Sequence, residues 1–79
     1  MVKRVIIRDK GDSIVSILYI EEDSKLNYRQ SFNVEGTRLM SVELYLEDNF
    51  IGAVYCWNGR VEEAEMVRDE NGVLVEKEV

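Results

Sequence analysis

The side chains that could do chemistry in this chain are carboxylates, one thiol and a few aromatic rings. The 79 residues include 16 Asp and Glu but no histidine, which removes the commonest general base and metal ligand. Cys56 is the only cysteine, so the sequence offers neither an internal disulfide nor a cysteine-based zinc site. A nucleophilic thiol needs a neighbouring base and a positive field, and we expect Cys56 to lie in a strand as a small hydrophobe. The sequence therefore predicts no enzymatic activity.

The carboxylates come in groups that could bind a cation, cleave a glycoside or meet a basic partner. Glycoside cleavage needs a cleft that holds the sugar between two carboxylates, and 79 residues leave little room for one. A calcium or magnesium site needs oxygens that converge, whereas a flat stripe of carboxylates does not. The segment Asp9-Lys10-Gly11-Asp12 lacks the length and the closing Glu of a calcium loop, which indicates a charged turn. We predict no metal and no cofactor.

The charge is distributed unevenly along the chain. Residues 1–42 carry seven Lys and Arg against six Asp and Glu, a sum of +1, whereas residues 43–79 carry three against ten, a sum of −7. This balance disfavours direct nucleic-acid binding by the second half and suits a protein partner with a basic groove. The carboxylates predicted to form one acidic stripe are Glu43, Glu63, Glu65, Glu76 and Glu78.

Two tight turns are predicted to position these groups. Asn58-Gly59 is the dipeptide best suited to a two-residue hairpin, and a second two-residue turn is expected at Asp48-Asn49. The two turns make three antiparallel strands out of the segment from Arg38 to Arg68, with apolar residues of all three on one face. The predicted inner pairs are Leu46 with Ile51, Leu44 with Ala53, Val42 with Tyr55, and Met40 with Trp57.

The other strands are predicted at residues 2–9, 13–22, 27–35 and 73–79. A three-residue loop before the central segment puts Tyr28 opposite Leu44, and a hairpin at Asn71-Gly72 puts Glu65 opposite Glu78. The predicted fold is all-β: one domain, residues 1–79, in which about seven strands form an antiparallel meander, barrel-like or strongly coiled. Two segments leave a helical alternative open: residues 37–48, where Thr37 could cap a helix, and residues 60–70, which are rich in helix formers; a helix at 60–70 makes the fold α+β.

A second apolar set is predicted on the outer face of the sheet. A monomer rarely leaves such a patch in water, so it is covered by the other half of the sheet, by a second copy of the chain, or by another protein. The members of the set are Ile14, Leu18, Ile20, Leu39, Tyr45, Phe50, Val54, Val61, Val67 and Leu74.

We therefore expect a small acidic binding module that docks a protein partner through the acidic stripe or through the outer apolar patch at Tyr45, Phe50 and Val54. One version is an inhibitor that mimics nucleic-acid charge, of the type found among accessory proteins of phages, viruses and mobile elements. A homo-oligomer that buries the patch is the alternative, and a small ligand-binding barrel near Tyr55 and Trp57 is a third. The sequence shows no signal peptide and no apolar run near 18 residues, so we predict a cytoplasmic protein with no membrane contact.

Overall fold

A computed structural model gives the fold of residues 1–78. Every regular element in these residues is a β-strand, which confirms the all-β antiparallel class and excludes the alternative helices at 37–48 and 60–70. Among them there is thus no helix with the length and apolar character needed to cross a membrane. The strands are β1 (Val2–Arg8), β2 (Ile14–Glu21), β3 (Leu26–Phe32), β4 (Leu39–Leu46), β5 (Asn49–Arg68) and β6 (Leu74–Glu76).

The fold is organised around β5, which is 20 residues long and belongs to two sheets. Sheet A consists of β2, β1, residues 60–68 of β5, and β6; sheet B consists of β3, β4 and residues 49–59 of β5. The strand order is β2-β1-β5-β4-β3, so β2 and β3 are the two edges and do not pair with each other. The seven predicted strands are therefore six within residues 1–78, and the predicted barrel closure is not confirmed.

The chain bends at Trp57 and Asn58, where it passes from sheet B to sheet A; we call this place the corner. Both residues have left-handed backbone conformations, with φ of 47° and 68°. The predicted hairpin at Asn58-Gly59 is wrong, because the chain does not reverse there and residues 56–58 form a bulge opposite Met40. A Cβ on Gly59 would lie 1.8 Å from the carbonyl oxygen of Arg8, so glycine is required here by the close approach of β1.

The hairpin between β4 and β5 turns one residue earlier than predicted. Its two central residues are Glu47 and Asp48, with φ of 50° and 66°. The earlier turn shifts the pairing by two residues, which keeps the faces, but the pairing shifts by one residue between Leu44 and Tyr45, so residues 52–55 face the opposite way from the prediction. The observed pairs are Leu46 with Asn49, Leu44 with Gly52, Val42 with Val54, and Ser41 with Tyr55.

The core lies between the two sheets and is small. Its fully packed centre consists of Val5, Ile7, Leu39, Val42 and Cys56. Much of the predicted outer set packs against this centre, whereas three residues predicted to face inward lie largely in solvent. The half-buried side chains around the centre are Leu18, Ile20, Tyr28, Val54 and Val61. The exposed side chains that were predicted inside are Ile51, Tyr55 and Trp57.

Two further predicted registers concern Tyr28 and the last hairpin. Tyr28 does pair with Leu44, as predicted. In the last hairpin the amide of Lys77 donates to the carbonyl of Glu65, so the predicted opposition of Glu65 and Glu78 is wrong and a cation takes that place. The strand predicted for residues 73–79 ends at Glu76 in the structure, and Val79 lies outside the described residues.

Candidate protein-docking face

The side of sheet B that faces away from the core forms a regular surface three strands wide, which we call the sheet-B outer face. Val42 and Val54 face the core, so their neighbours along each strand face outward. Residues that pair directly across two strands share a face. The resulting rows are Asn27, Tyr45 and Phe50; Arg29, Glu43 and Ala53; and Ser31, Ser41 and Tyr55.

Aromatic side chains give this face a defined shape. The rings of Tyr45 and Phe50 meet edge to face, with centroids 5.9 Å apart and planes at 75°. The guanidinium carbon of Arg29 lies 4.5 Å from the centre of the Tyr45 ring, and the Tyr45 hydroxyl donates to Glu43 at 3.4 Å. Phe50 is 57% exposed and Tyr55 is 65% exposed. The face therefore presents the rings of Phe50 and Tyr55 to solvent, and Phe50 is held by its contact with Tyr45.

Three of the eight residues predicted to bind a partner lie together on this face: Glu43, Tyr45 and Phe50. Phe50 lies beside Tyr45 because the pairing shifts between Leu44 and Tyr45, which leaves one extra residue on β5. Val54, by contrast, is on the core side and half-buried. Tyr55 was missed because the predicted register turned it inward.

The other predicted residues do not continue the stripe. Glu63 and Glu65 pair with Val5 and Lys3, which puts them on the core side of sheet A at its open end. Glu76 pairs with Met66 on the opposite side of sheet A. Glu78 follows β6 and lines a shallow cavity with Glu65. A single stripe that includes Glu43 therefore does not form.

Most of the carboxylates on sheet A already have cations beside them. Lys3 Nζ is 3.5 Å from Glu63, Lys77 Nζ is 3.6 Å from Glu65, and an Arg4 guanidinium nitrogen is 2.5 Å from Glu76. Such exposed pairs contribute little to stability, but each cation offsets the negative charge of the carboxylate beside it. The acidic surface of sheet A is consequently less negative than the sequence alone indicates.

Three titratable groups have a shifted pKa: Tyr28, Asp12 and the Arg60 that pairs with Asp12. The pKa of Tyr28 is raised well above its ordinary value, first by burial and then by the hydrogen bond that its hydroxyl donates to Glu63. The pKa of Asp12 is lowered by the hydrogen bond and charge of Arg60. Arg60 lies two residues after the corner, so this ion pair connects β5 near the corner to the loop between β1 and β2.

The molecule exposes more surface than its size requires. Its accessible area is 5687 Å², whereas the scaling for folded monomers gives about 4900 Å² for this mass. The radius of gyration is 13.8 Å, against about 12 Å expected for a compact domain of this length. The isolated chain thus leaves apolar surface that a partner could cover.

Neither a metal centre nor a reactive thiol is evident in the part of the chain that the structure describes. No group of three or more His, Cys, Asp or Glu in residues 1–78 has the placement of a metal site. Cys56 is fully buried, and its sulfur lies 3.6 Å from the carbonyl oxygen of Leu39. Comparison with known proteins identifies no matching family model, no similar curated protein and no similar solved structure.

Proposed function

We propose that this chain is a non-enzymatic binding module that docks a protein partner on the sheet-B outer face. The observation that carries the proposal is the pair of exposed rings, Phe50 and Tyr55, which lie on β5 on either side of Ala53 and have polar side chains of β3 and β4 beside them. Interfaces concentrate their binding energy in such aromatic residues within a polar surround. The partner would present an apolar patch of similar width. A reducing compartment, the cytoplasm, suits the single unpaired thiol of Cys56.

The acidic version of the proposal is weaker. A mimic of nucleic-acid charge needs a row of carboxylates that can meet an external cation. Here Glu63, Glu65 and Glu76 each have a cation of the same chain within 4 Å. We therefore assign the docking role to the rings, with Glu43 as the one acidic residue of the predicted stripe that belongs to the face.

The test is affinity capture from the native host with wild-type protein and four variants as bait. Phe50→Ser and Tyr55→Ser remove the exposed rings, and Val34→Ser is the matched control because Val34 is a fully exposed apolar residue in a loop. Loss of an interface anchor costs about 2 kcal/mol or more, which is roughly 30-fold in Kd. We expect one protein to be retained by wild type and Val34→Ser and lost by both face variants. Capture that survives both face variants but is lost with Glu63→Lys and Glu65→Lys together would contradict the proposal.

A second candidate, a homodimer, is favoured by one observation on β2. This edge strand carries no charged residue from Ile14 to Ile20, and no backbone hydrogen bond to residues 14–20 is found in residues 1–78 beyond the pairing with β1. Natural proteins usually protect such an edge with charges, and an unprotected one pairs with another strand. Light scattering distinguishes the candidates: a mass of two chains that falls to one with Ile17→Lys, but not with Val34→Lys, supports the dimer. A single-chain mass at all concentrations excludes it.

A further inference from the structure

The corner carries a cleft that the proposed docking function does not use. It has a volume of about 280 Å³ and is lined by Lys10, Arg38, Met40, Trp57 and Asn58. Lys10 comes from the loop after β1, Arg38 directly precedes β4, and Met40 is the second residue of that strand; Trp57 and Asn58 form the bend of β5. Three separate segments of the chain thus meet around one indole ring.

The backbone conformation of Trp57 is energetically unfavourable for a side chain of this size. Its φ of 47° lies in the left-handed region, where asparagine and glycine are far more at ease than a bulky side chain. The ring is 68% exposed, so little burial compensates for this strain. Backbone strain of this kind concentrates at binding sites, where it positions a side chain for a ligand.

The cations in the cleft are also unusual within this chain. Eight of the ten Lys and Arg have a carboxylate, an aromatic ring or a backbone carbonyl beside them, whereas Lys10 and Arg38 have none among residues 1–78. Both of these line the cleft of Trp57. The eight are Lys3, Arg4, Arg8, Lys25, Arg29, Arg60, Arg68 and Lys77.

We propose that the corner cleft binds a single nucleotide, with the base stacked on Trp57 and the phosphate held by Lys10 and Arg38. An exposed indole binds flat rings by stacking, and Lys and Arg bind phosphate through charge-assisted hydrogen bonds. A nucleotide combines these two groups in one molecule. A long strand fits less well, because a chain with a net charge of −6 repels a polyanion outside this cleft.

Trp57 is the only tryptophan, so intrinsic fluorescence reports directly on the site. The protein is titrated with adenosine 5′-monophosphate, with adenosine, and with inorganic phosphate, and is excited at the red edge of indole absorption, where the nucleobase does not absorb. We expect saturable quenching by the nucleotide, with an affinity about tenfold or more above that of the nucleoside. Phosphate alone should bind without stacking and quench little. Absence of saturable quenching, or equal affinity for nucleotide and nucleoside, overturns the proposal.

Substitutions of Lys10 and Arg38 test whether these two side chains bind the nucleotide. Lys10→Gln and Arg38→Gln should each weaken nucleotide binding about tenfold, and both residues are exposed, so the fold is retained. Lys25→Gln is the matched control, because it removes a lysine of another loop and should leave the titration unchanged. Unaltered affinity in both cleft variants would overturn the proposal.

Two further titrations distinguish the corner cleft from a nucleic-acid groove and from the docking face. A single-stranded oligonucleotide should bind no more tightly than the mononucleotide, and a steep gain with strand length would instead indicate a nucleic-acid groove and overturn the proposal of a single-nucleotide site. Phe50→Ser should leave nucleotide affinity unchanged while it removes protein capture. The corner site and the docking face can therefore fail independently.

Discussion

Two pairs of successive residues in this chain have almost the same left-handed backbone, yet only one pair reverses the chain. Glu47 and Asp48 have φ of 50° and 66°, and Trp57 and Asn58 have φ of 47° and 68°. After the first pair, β5 folds back along β4. After the second, β5 continues into sheet A and pairs with β1.

The difference lies in the strands that are available on either side. At the first pair, the flanking residues Leu46 and Asn49 pair with each other, which makes a hairpin. At the corner, Gly59 pairs with Leu39 of β4, and the next residue, Arg60, pairs with Arg8 of β1. A hairpin there would remove one neighbour of β1, whose Val5 and Ile7 are fully buried. Positive φ thus permits a turn or a bend, and long-range packing selects between them.

The largest expected effect is at Gly59, where this packing is tightest. In Gly59→Ala the new Cβ would meet the backbone of Arg8, which cannot move without disturbing β1. We expect a loss of about 3 kcal/mol in the free energy of unfolding, measured by chemical denaturation. Gly52→Ala on the same strand is the control, because no atom lies within 4 Å of its new Cβ. Equal stability of the two variants would mean that β1 does not approach β5 as described.

The next largest effect on stability is expected at Glu47-Asp48, the observed turn between β4 and β5. Glu47 is not a residue that a two-residue turn favours, and glycine adopts positive φ more easily than Asp48, so Glu47→Asn combined with Asp48→Gly should raise the free energy of unfolding by about 1 kcal/mol. The gain arises because Asn and Gly adopt positive φ with less strain. Thermal or urea denaturation measures it. An unchanged or lower stability would indicate that the chain turns at other residues.

An effect of similar size is expected from the strained residue of the corner, Trp57. Trp57→Asn should be at least as stable as wild type, because Asn tolerates the left-handed conformation and the ring is mostly exposed. Trp57→Val should be less stable than Trp57→Asn by about 1 kcal/mol, since β-branched residues tolerate this conformation poorly. Denaturation curves of the two variants provide the comparison. The reverse order would show that Trp57 is not left-handed in solution.

The smallest expected effect is a pH dependence of stability, which arises from the ion pair of Asp12 with Arg60. Arg60 holds the pKa of Asp12 below its ordinary value of 3.8. A lowered folded-state pKa means that the pair contributes stability above the unfolded-state pKa and that this contribution is lost as pH falls through the folded-state pKa. Wild type should therefore have a slightly higher denaturation midpoint than Asp12→Asn at neutral pH, and the difference should vanish in acid. A difference that persists in acid would contradict this role of the ion pair.

The local features of the fold could be predicted from the sequence alone. The β-branched run Val5-Ile6-Ile7 and the alternation around Tyr28 identify strands, because each pattern depends on near neighbours alone. For the same reason the pairing of Tyr28 with Leu44 was predictable across a short loop. On the candidate site, Glu43 and Tyr45 were placed on one surface because they alternate along a single strand.

The predictions that were wrong concern features that depend on residues far apart in sequence. Asn58-Gly59 carries the signature of a hairpin, but Gly59 is there for β1, which lies near the start of the chain. The turn at Glu47-Asp48 lacks the glycine that marks a two-residue hairpin, and an extra residue on β5 between Phe50 and Gly52 allows Val42 and Val54 to pair on the core side. The pairing error of one residue that this extra residue causes hid Tyr55 from the predicted surface. Turn chemistry alone could not have corrected it.

The description of β5 as one bent strand shared by two sheets is tested most directly by nuclear Overhauser contacts between the backbones of paired residues. We expect contacts from Ile7 to Val61 and from Val42 to Val54. Contacts from Tyr55 to Glu62, which only a hairpin at Asn58-Gly59 would bring together, would contradict it.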